Sequence, residues 1–352
     1  MTQPESETRG ESTTPARMRA LVLTGVEQLE VRDRPIPSTA GRTLVAVERA
    51  GLCGTDLKLH QGKPPVDYPR ILGHEVVGRV VRPGTEGRLS EGTRVLVDPA
   101  VSCGHCHACY ADRPNLCPHG GLIGREVDGG LAEYVAVDER RLLTLPPNLR
   151  LESAAMLQVL GVCVHAQRRV DVFPGQTAAV IGLGVGGLLH AQLLTLRGAR
   201  VIGITRTADK RRLAEELGTP VTCPPDEALD RVRDLTEGRG VDLVVESVGQ
   251  ISTLAQAIEL AGAGGRILQY GTVTSGEGRL PFYDLYYKEL DLIGSRAAVI
   301  GDYARAIDLV ATDRVRVEPL VSATYSLEDG PAAFEALRTR SDLIKVLLDV
   351  GR

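Results

Sequence analysis

The sequence predicts an α/β protein in two parts, a β-rich domain followed by a doubly wound parallel sheet, and three observations carry that prediction. Its 352 residues exceed what one hydrophobic core organises and suit two domains of about 100–200 residues each. Residues 17–137 hold short apolar runs punctuated by glycine, whereas from Gln158 onward strand-like and helix-like patterns alternate, the order that builds a parallel sheet with helices on both faces. At 180–187 the chain reads VIGLGVGG, an apolar strand that passes through Gly182-x-Gly184-x-x-Gly187 into a helical pattern.

In chain order, residues 1–16 mix Glu, Ser, Thr and Pro without an apolar stretch, which predicts a disordered tail rather than a secretory signal. Strands are expected over 18–23, 44–49, 76–81, 93–97 and 131–137, within a β-rich domain spanning 17–157. The second domain, 158–296, should alternate strands at 178–181, 201–204, 241–246 and 266–270 with helices at 188–197, 210–217 and 253–260. A last segment, 297–352, offers a helix at 303–311 and a strand at 344–350 that could return to the first domain.

Apolar residues make up 43% of the chain and its net charge is −4. That balance fits a packed globular protein and supplies no basic face for nucleic acid or an anionic membrane. No apolar run reaches the ~20 residues that span a bilayer. Seven cysteines without a secretory signal favour a reducing compartment, where clustered thiolates hold metal more often than they pair. The expected location is cytoplasmic, and the expected partner is a small-molecule substrate.

Four residue patterns carry chemistry. Gly182 would allow the turn, Gly184 would let backbone approach a pyrophosphate, and Gly187 would let helix and strand pack closely; the helix N-terminus then offers free N–H groups to the phosphates. Cys103, Cys106 and Cys109 are followed by Cys117, and four thiolates close a tetrahedral shell around Zn²⁺, which makes a structural site. His105 and His107 interleave them and are read as spacers. Cys53 beside Thr55, and His74 beside Glu75, look like parts of an open metal site, although alone Cys53 would be a small buried hydrophobe and His74 a core histidine.

Together the CGTD, GHE, four-cysteine and GLGVGG motifs resemble the zinc-dependent medium-chain dehydrogenases, a superfamily that includes alcohol, sorbitol, threonine and archaeal glucose dehydrogenases. The resemblance covers about residues 17–350, with four motifs in order. It implies a GroES-like catalytic domain completed by the C-terminal segment, a Rossmann cofactor domain, a metal cleft where the two meet, and a homodimer or homotetramer. By position it implies Cys53 and His74 as ligands of a catalytic zinc, Glu75 as a ligand or near neighbour, and Thr55 as the group that passes the substrate hydroxyl proton outward. Gln158 stands where polyol dehydrogenases of the superfamily carry a glutamate. A neutral amide oxygen is a weaker zinc donor, so Gln158 is either a third ligand or a cleft residue that touches no metal. Lys58 stands where several relatives carry the histidine that ends the proton relay, and His60 could substitute. Cys163 reads as packing, and Cys223 suggests nothing.

Cofactor choice follows from the stretch after the second strand of the nucleotide unit. An Asp or Glu about twenty residues past the glycines would accept the ribose hydroxyls of NAD, but Thr205 stands there, with Arg206 adjacent and Lys210 and Arg211 close behind. A hydroxyl amid fixed positive charge suits a 2′-phosphate and favours NADP(H) over NAD(H); Asp209 is the residue that could overturn this. Lys345 resembles the basic contact to the cofactor phosphates. Tyr283, Tyr286 and Tyr287 cluster where relatives bring a loop toward the cleft or a subunit contact. The resulting expectation is a zinc-dependent, NADP(H)-preferring dehydrogenase of a secondary alcohol, polyol, sugar or amino-alcohol, with one catalytic and one structural zinc. A zinc-free NADPH-dependent reductase of enones or quinones and a non-catalytic NADPH-binding protein are the alternatives.

Overall fold

The computed structural model describes residues 15–274 and 277–351, so the expected tail lies almost wholly outside the described residues. A seven-stranded sheet carries the first domain. Its central strand, Thr43–Leu52, is rich in apolar residues and mostly buried. It pairs antiparallel with Glu75–Arg82, with Tyr134–Val137 and with the last strand of the chain, Lys345–Asp349. Val321–Ser326 runs parallel to that last strand, so the end of the chain closes the sheet that its beginning opens. Strands form at each of the five expected places, the fifth as Tyr134–Val137. A short helix, Gly54–His60, follows Cys53 directly and was not expected; its N-terminus forms because the Asp56 carboxylate takes the Cys53 N–H at 2.9 Å, a cap supplied from inside the helix.

The second domain is a parallel sheet of six strands in the spatial order Val221–Cys223, Arg200–Ile204, Thr177–Ile181, Val241–Glu246, Ala261–Gln269 and Asp291–Gly294. This is the 3-2-1-4-5-6 order of a Rossmann sheet, whose ligand crevice lies where the strand order reverses. Strand residues alternate between two cores: Val180, Leu243 and Val245 face one, and Ala179, Ile181 and Val244 face the other. Burying each Val or Ile side chain contributes about 1.5–3 kcal/mol, which is why these strands tolerate almost no polar position.

A helix the sequence reading did not separate, Leu157–Gln167, lies between the two domains. It packs in the core that holds Val180 and Leu188, together with Val77 and Leu96 of the first sheet. Gly161 sets its distance from the helix Ile300–Ala311, since a Cβ at Gly161 would overlap the Tyr303 ring. Among the described residues no helix is long and apolar enough to cross a membrane.

Candidate active site

Cys53 directly follows the central strand of the first sheet, and His74 directly precedes the neighbouring strand that Glu75 opens, so the sheet register brings them together. Gly51 pairs with Glu75, and the ligand atoms of Cys53, His74 and Glu75 all lie within 4.8 Å of one another. His74 and Glu75 are 4% and 1% exposed. A thiolate, an imidazole and a carboxylate at this separation fit the three protein donors of a catalytic zinc with one position left for substrate. Gln158 is also buried, and its Nε2 lies 3.5 Å from the Tyr303 hydroxyl. The amide oxygen is the atom able to bind metal.

Asp56 organises the centre from behind and carries a role the sequence reading did not give it. It is fully buried, accepts the Cys53 and Gly73 N–H groups at 2.9 and 3.2 Å, and sits 3.5 Å from His74 Nδ1. Burial pushes the His74 imidazole down, but the negative charge of Asp56 and Cys53 outweighs it and holds the group well above its ordinary value. An imidazole oriented by a carboxylate is a stronger metal donor. The signal was present in CGTD: an acidic residue three positions after a helix cap.

Lys345, expected at the cofactor phosphates, is held inside the first domain. Its ammonium is 2% exposed, ion-paired with Glu75 and hydrogen-bonded to the Leu52 carbonyl at 2.9 Å. The pairing of Lys345–Asp349 with Thr43–Leu52 turns the side chain into the first sheet, and Gly51 leaves the room it fills. Lys58 reaches the other way, its Nζ 3.4 Å from the Thr272 carbonyl of the second domain, which puts it over the interdomain cleft. The His60 ring instead packs against Phe334 at 5.7 Å, in the direction of the C-terminal helix Gly330–Thr339.

The four cysteines of the lobe form a closed cluster. Cys103 and Cys117 sulfurs are 3.6 Å apart, Cys106 and Cys109 3.5 Å, Cys106 and Cys117 3.8 Å, and Cys103 and Cys109 4.0 Å. Tetrahedral Zn–S bonds of about 2.3 Å separate sulfurs by about 3.8 Å, so the thiolates fit zinc without rearrangement. His105 bonds the Cys103 carbonyl, and both His105 and His107 are exposed.

The glycine turn lies at the crevice of the parallel sheet. Gly182 has φ +89°, Gly184 caps the helix Val185–Leu196, and a Cβ at Gly187 would overlap the Gly182 carbonyl, whereas one at Gly184 would meet nothing within 4 Å. Gly184 thus faces open space in front of the helix N-terminus, a cradle for a pyrophosphate. Thr205 follows the strand Arg200–Ile204, and Arg206 is exposed beside it. Arg211 Nη1 donates to the Thr205 and Arg206 carbonyls at 2.8 and 3.1 Å, bracing this corner, and Asp209 is ion-paired with Arg212. Desolvation lowers the Lys210 ammonium from its ordinary value.

Tyr270 is the other residue the sequence did not disclose. Its ring packs edge-on against His190 at 4.6 Å, its hydroxyl accepts from Cys163 at 3.5 Å, and it fills the space beside Gly186. Burial raises the phenol well above its ordinary value, and the charges of Cys163, Cys53 and Glu75 raise it further. Cys163 is itself buried and its thiol is pushed up to about 12, as suits packing. Tyr283, Tyr286 and Tyr287 stand exposed on the helix Phe282–Tyr287.

Comparisons with known proteins give the family and the fold. Residues 39–147 match the alcohol dehydrogenase GroES-like domain and residues 184–312 the zinc-binding dehydrogenase domain. The sorbitol dehydrogenase of Bacillus subtilis is 30% identical over 351 residues, covering 97% of this chain and 99% of the relative. A structure from Sinorhizobium meliloti bound to NADP is 37% identical with a TM-score of 0.89, covering 96% of this chain and 100% of that one. The alcohol dehydrogenase of Thermus sp. ATN1 is 32% identical with a TM-score of 0.88, covering 95% of this chain and 100% of that one. The order of motifs, the two-domain architecture and these likenesses over nearly the whole length make the chain an oxidoreductase of the zinc-dependent medium-chain dehydrogenase superfamily.

Proposed function

We propose that the protein interconverts a secondary alcohol and its ketone with NADP(H), and that the alcohol belongs to the polyol and sugar class. The observation that carries this is the convergence of Cys53, His74 and Glu75 donor atoms within 4.8 Å, in a chain whose second domain presents an open Gly184 at a helix N-terminus. Zinc, when bound, supplies a Lewis acid that stabilises an alkoxide at neutral pH.

The chain's own residues do the rest. Cys53, His74 and either Glu75 or Gln158 hold the metal, and Asp56 orients His74. Thr55, half-buried beside Cys53, takes the substrate hydroxyl proton outward, and Lys58 at the cleft supports its release. The glycine turn holds the cofactor pyrophosphate, while the Thr205 hydroxyl and Arg206 guanidinium receive the 2′-phosphate. A second zinc in the four-cysteine lobe is structural. The NADP-bound likeness and the sorbitol dehydrogenase likeness support the cofactor and the substrate class respectively.

A panel of polyols, ketoses, simple secondary alcohols and enones assayed with both cofactors tests this reading. Turnover of polyols or ketoses with at least tenfold preference for NADP(H) is expected. Turnover confined to enones or quinones contradicts it.

A further inference from the structure

Glu246 ends the strand Val241–Glu246 beside the glycine turn, where its register partner is Ile181, the residue before Gly182. Its side chain is fully buried. Oε1 accepts the Val248 and Gly249 N–H groups, each at 2.9 Å, and the Thr253 hydroxyl at 2.7 Å, while Oε2 accepts the Gln269 amide at 2.6 Å. Every partner is a neutral donor, the surroundings of an acceptor-only carboxylate. No cationic side chain pairs with it among the described residues. A buried charge is ordinarily paired, and the offset here is the N-terminus of the helix Ile251–Leu260, reached through Thr253.

The same residue joins two segments that lie between the glycine turn and the metal centre. On one side Ser247 Oγ donates to the Ile181 and Gly182 carbonyls at 2.9 and 2.6 Å, and a Cβ at Gly182 would overlap the Val248 side chain. On the other side the Glu246 carbonyl accepts the Tyr270 and Gly271 N–H groups at 3.0 and 2.8 Å, and the next residue, Thr272, receives Lys58 from the metal-binding domain. Thr205 and Arg206 lie across the crevice, after the strand Arg200–Ile204. On the dehydrogenase reading, a dinucleotide with its pyrophosphate at Gly184 turns its adenosine half toward Thr205. Its nicotinamide half then runs the other way, across the ends of Val241–Glu246 and Ala261–Gln269 toward Cys53. The nicotinamide ring carries a positive charge when oxidised and none when reduced, so a fixed negative charge near its path distinguishes the two forms.

We infer that the Glu246 carboxylate raises the affinity of the site for the oxidised, cationic cofactor relative to the reduced one. The inference rests on the dehydrogenase reading above. Its test is calorimetric titration of the zinc-loaded holoenzyme with oxidised cofactor, reduced cofactor and the matching ADP-ribose fragment, using whichever of NADP(H) and NAD(H) the native protein binds more tightly. Glu246→Gln removes the charge, and the buried Gln269 Oε1, which has no hydrogen-bond partner, can accept the introduced amide N–H once the Gln269 side chain turns over. Gln269→Lys keeps the carboxylate and sets an ammonium beside it. A unit charge acting over about 10 Å at an effective dielectric constant of about 20 shifts an equilibrium about fifteenfold. In both variants the ratio of oxidised to reduced affinity is expected to fall about five- to fifteenfold, with fragment binding held within about twofold. Thr253→Val removes one neutral hydrogen bond to Glu246 and should leave the ratio unchanged. A ratio within about twofold of native in both charge variants, an equal fall in Thr253→Val, or fragment binding that falls as far as cofactor binding overturns the inference and leaves the dehydrogenase reading standing. A native holoenzyme that binds neither form of either cofactor overturns that reading and this inference with it.

Discussion

Glu75 and Lys345 form an ion pair buried between the strand that follows Gly73 and the last strand of the chain, with 1% and 2% of their surfaces exposed. Removing one partner of such a pair leaves a buried charge uncompensated, which costs about 3–5 kcal/mol, whereas replacing both is often near neutral. Lys345→Met should therefore lower stability to urea by an amount in that range. The double substitution Glu75→Gln with Lys345→Met should recover most of it. Equal loss in single and double variants would show that the lysine stem, rather than its charge, supplies the stability.

The glycine turn separates folding from binding. A Cβ at Gly187 overlaps the Gly182 carbonyl while one at Gly184 meets open space, so Gly187→Ala should lower both melting temperature and cofactor affinity. Gly184→Ala should leave the melting temperature unchanged and weaken NADPH binding, read by fluorescence titration. Tight NADPH binding in Gly184→Ala would mean that the cofactor does not approach this turn.

Cys106→Ser should release one zinc per chain and lower the melting temperature, because metal binding in a closed four-thiolate lobe is also folding free energy. Elemental analysis and a thermal scan read the two effects. A zinc content and melting temperature that both stay unchanged would remove the structural assignment of the lobe.

Asp302 links stability to pH. Burial alone would raise its carboxyl, but hydrogen bonds from His165, Arg168 and the Val299 N–H hold it below its ordinary value. A carboxyl lowered on folding stabilises the protein above its unfolded value of about 3.9, and the contribution fades as pH falls through the folded value. Asp302→Asn should therefore be less stable than the native protein at pH 6, and the gap in urea midpoint should narrow below pH 4. A gap that is constant across that range would show that the carboxylate charge contributes nothing.

What the sequence disclosed was local. The strand–glycine–helix turn, the four-cysteine spacing and the CGTD and GHE pairs each sit within a few residues, and their geometry follows from strand and helix periodicity. Asp56 was visible in CGTD but had no role until the register placed Gly73 and His74 beside it. Lys345 was visible too, and its side chain turned toward Glu75 because the last strand pairs with Thr43–Leu52, a long-range choice that no local pattern encodes. The Asn115, His165 and Asp302 network joins three distant segments, and although Asn115 lies within the four-cysteine spacing, no local pattern encodes its partners. Tyr270 reads as a strand end, and only the packing of Cys163, His190 and Gly186 around it shows where its hydroxyl lies.

On the proposed function, hydride transfer depends on a metal held by Cys53 and His74 and is separable from cofactor binding. The most direct measurement is single-turnover oxidation of NADPH by the His74→Ala protein, with zinc content and NADPH affinity determined on the same sample. The expected result is one zinc per chain instead of two, NADPH binding within a few-fold of the native protein, and loss of hydride transfer by at least about a thousandfold, since the metal supplies several kcal/mol of charge stabilisation to the reaction. Native rates of hydride transfer in His74→Ala, with only the lobe zinc present, would contradict it.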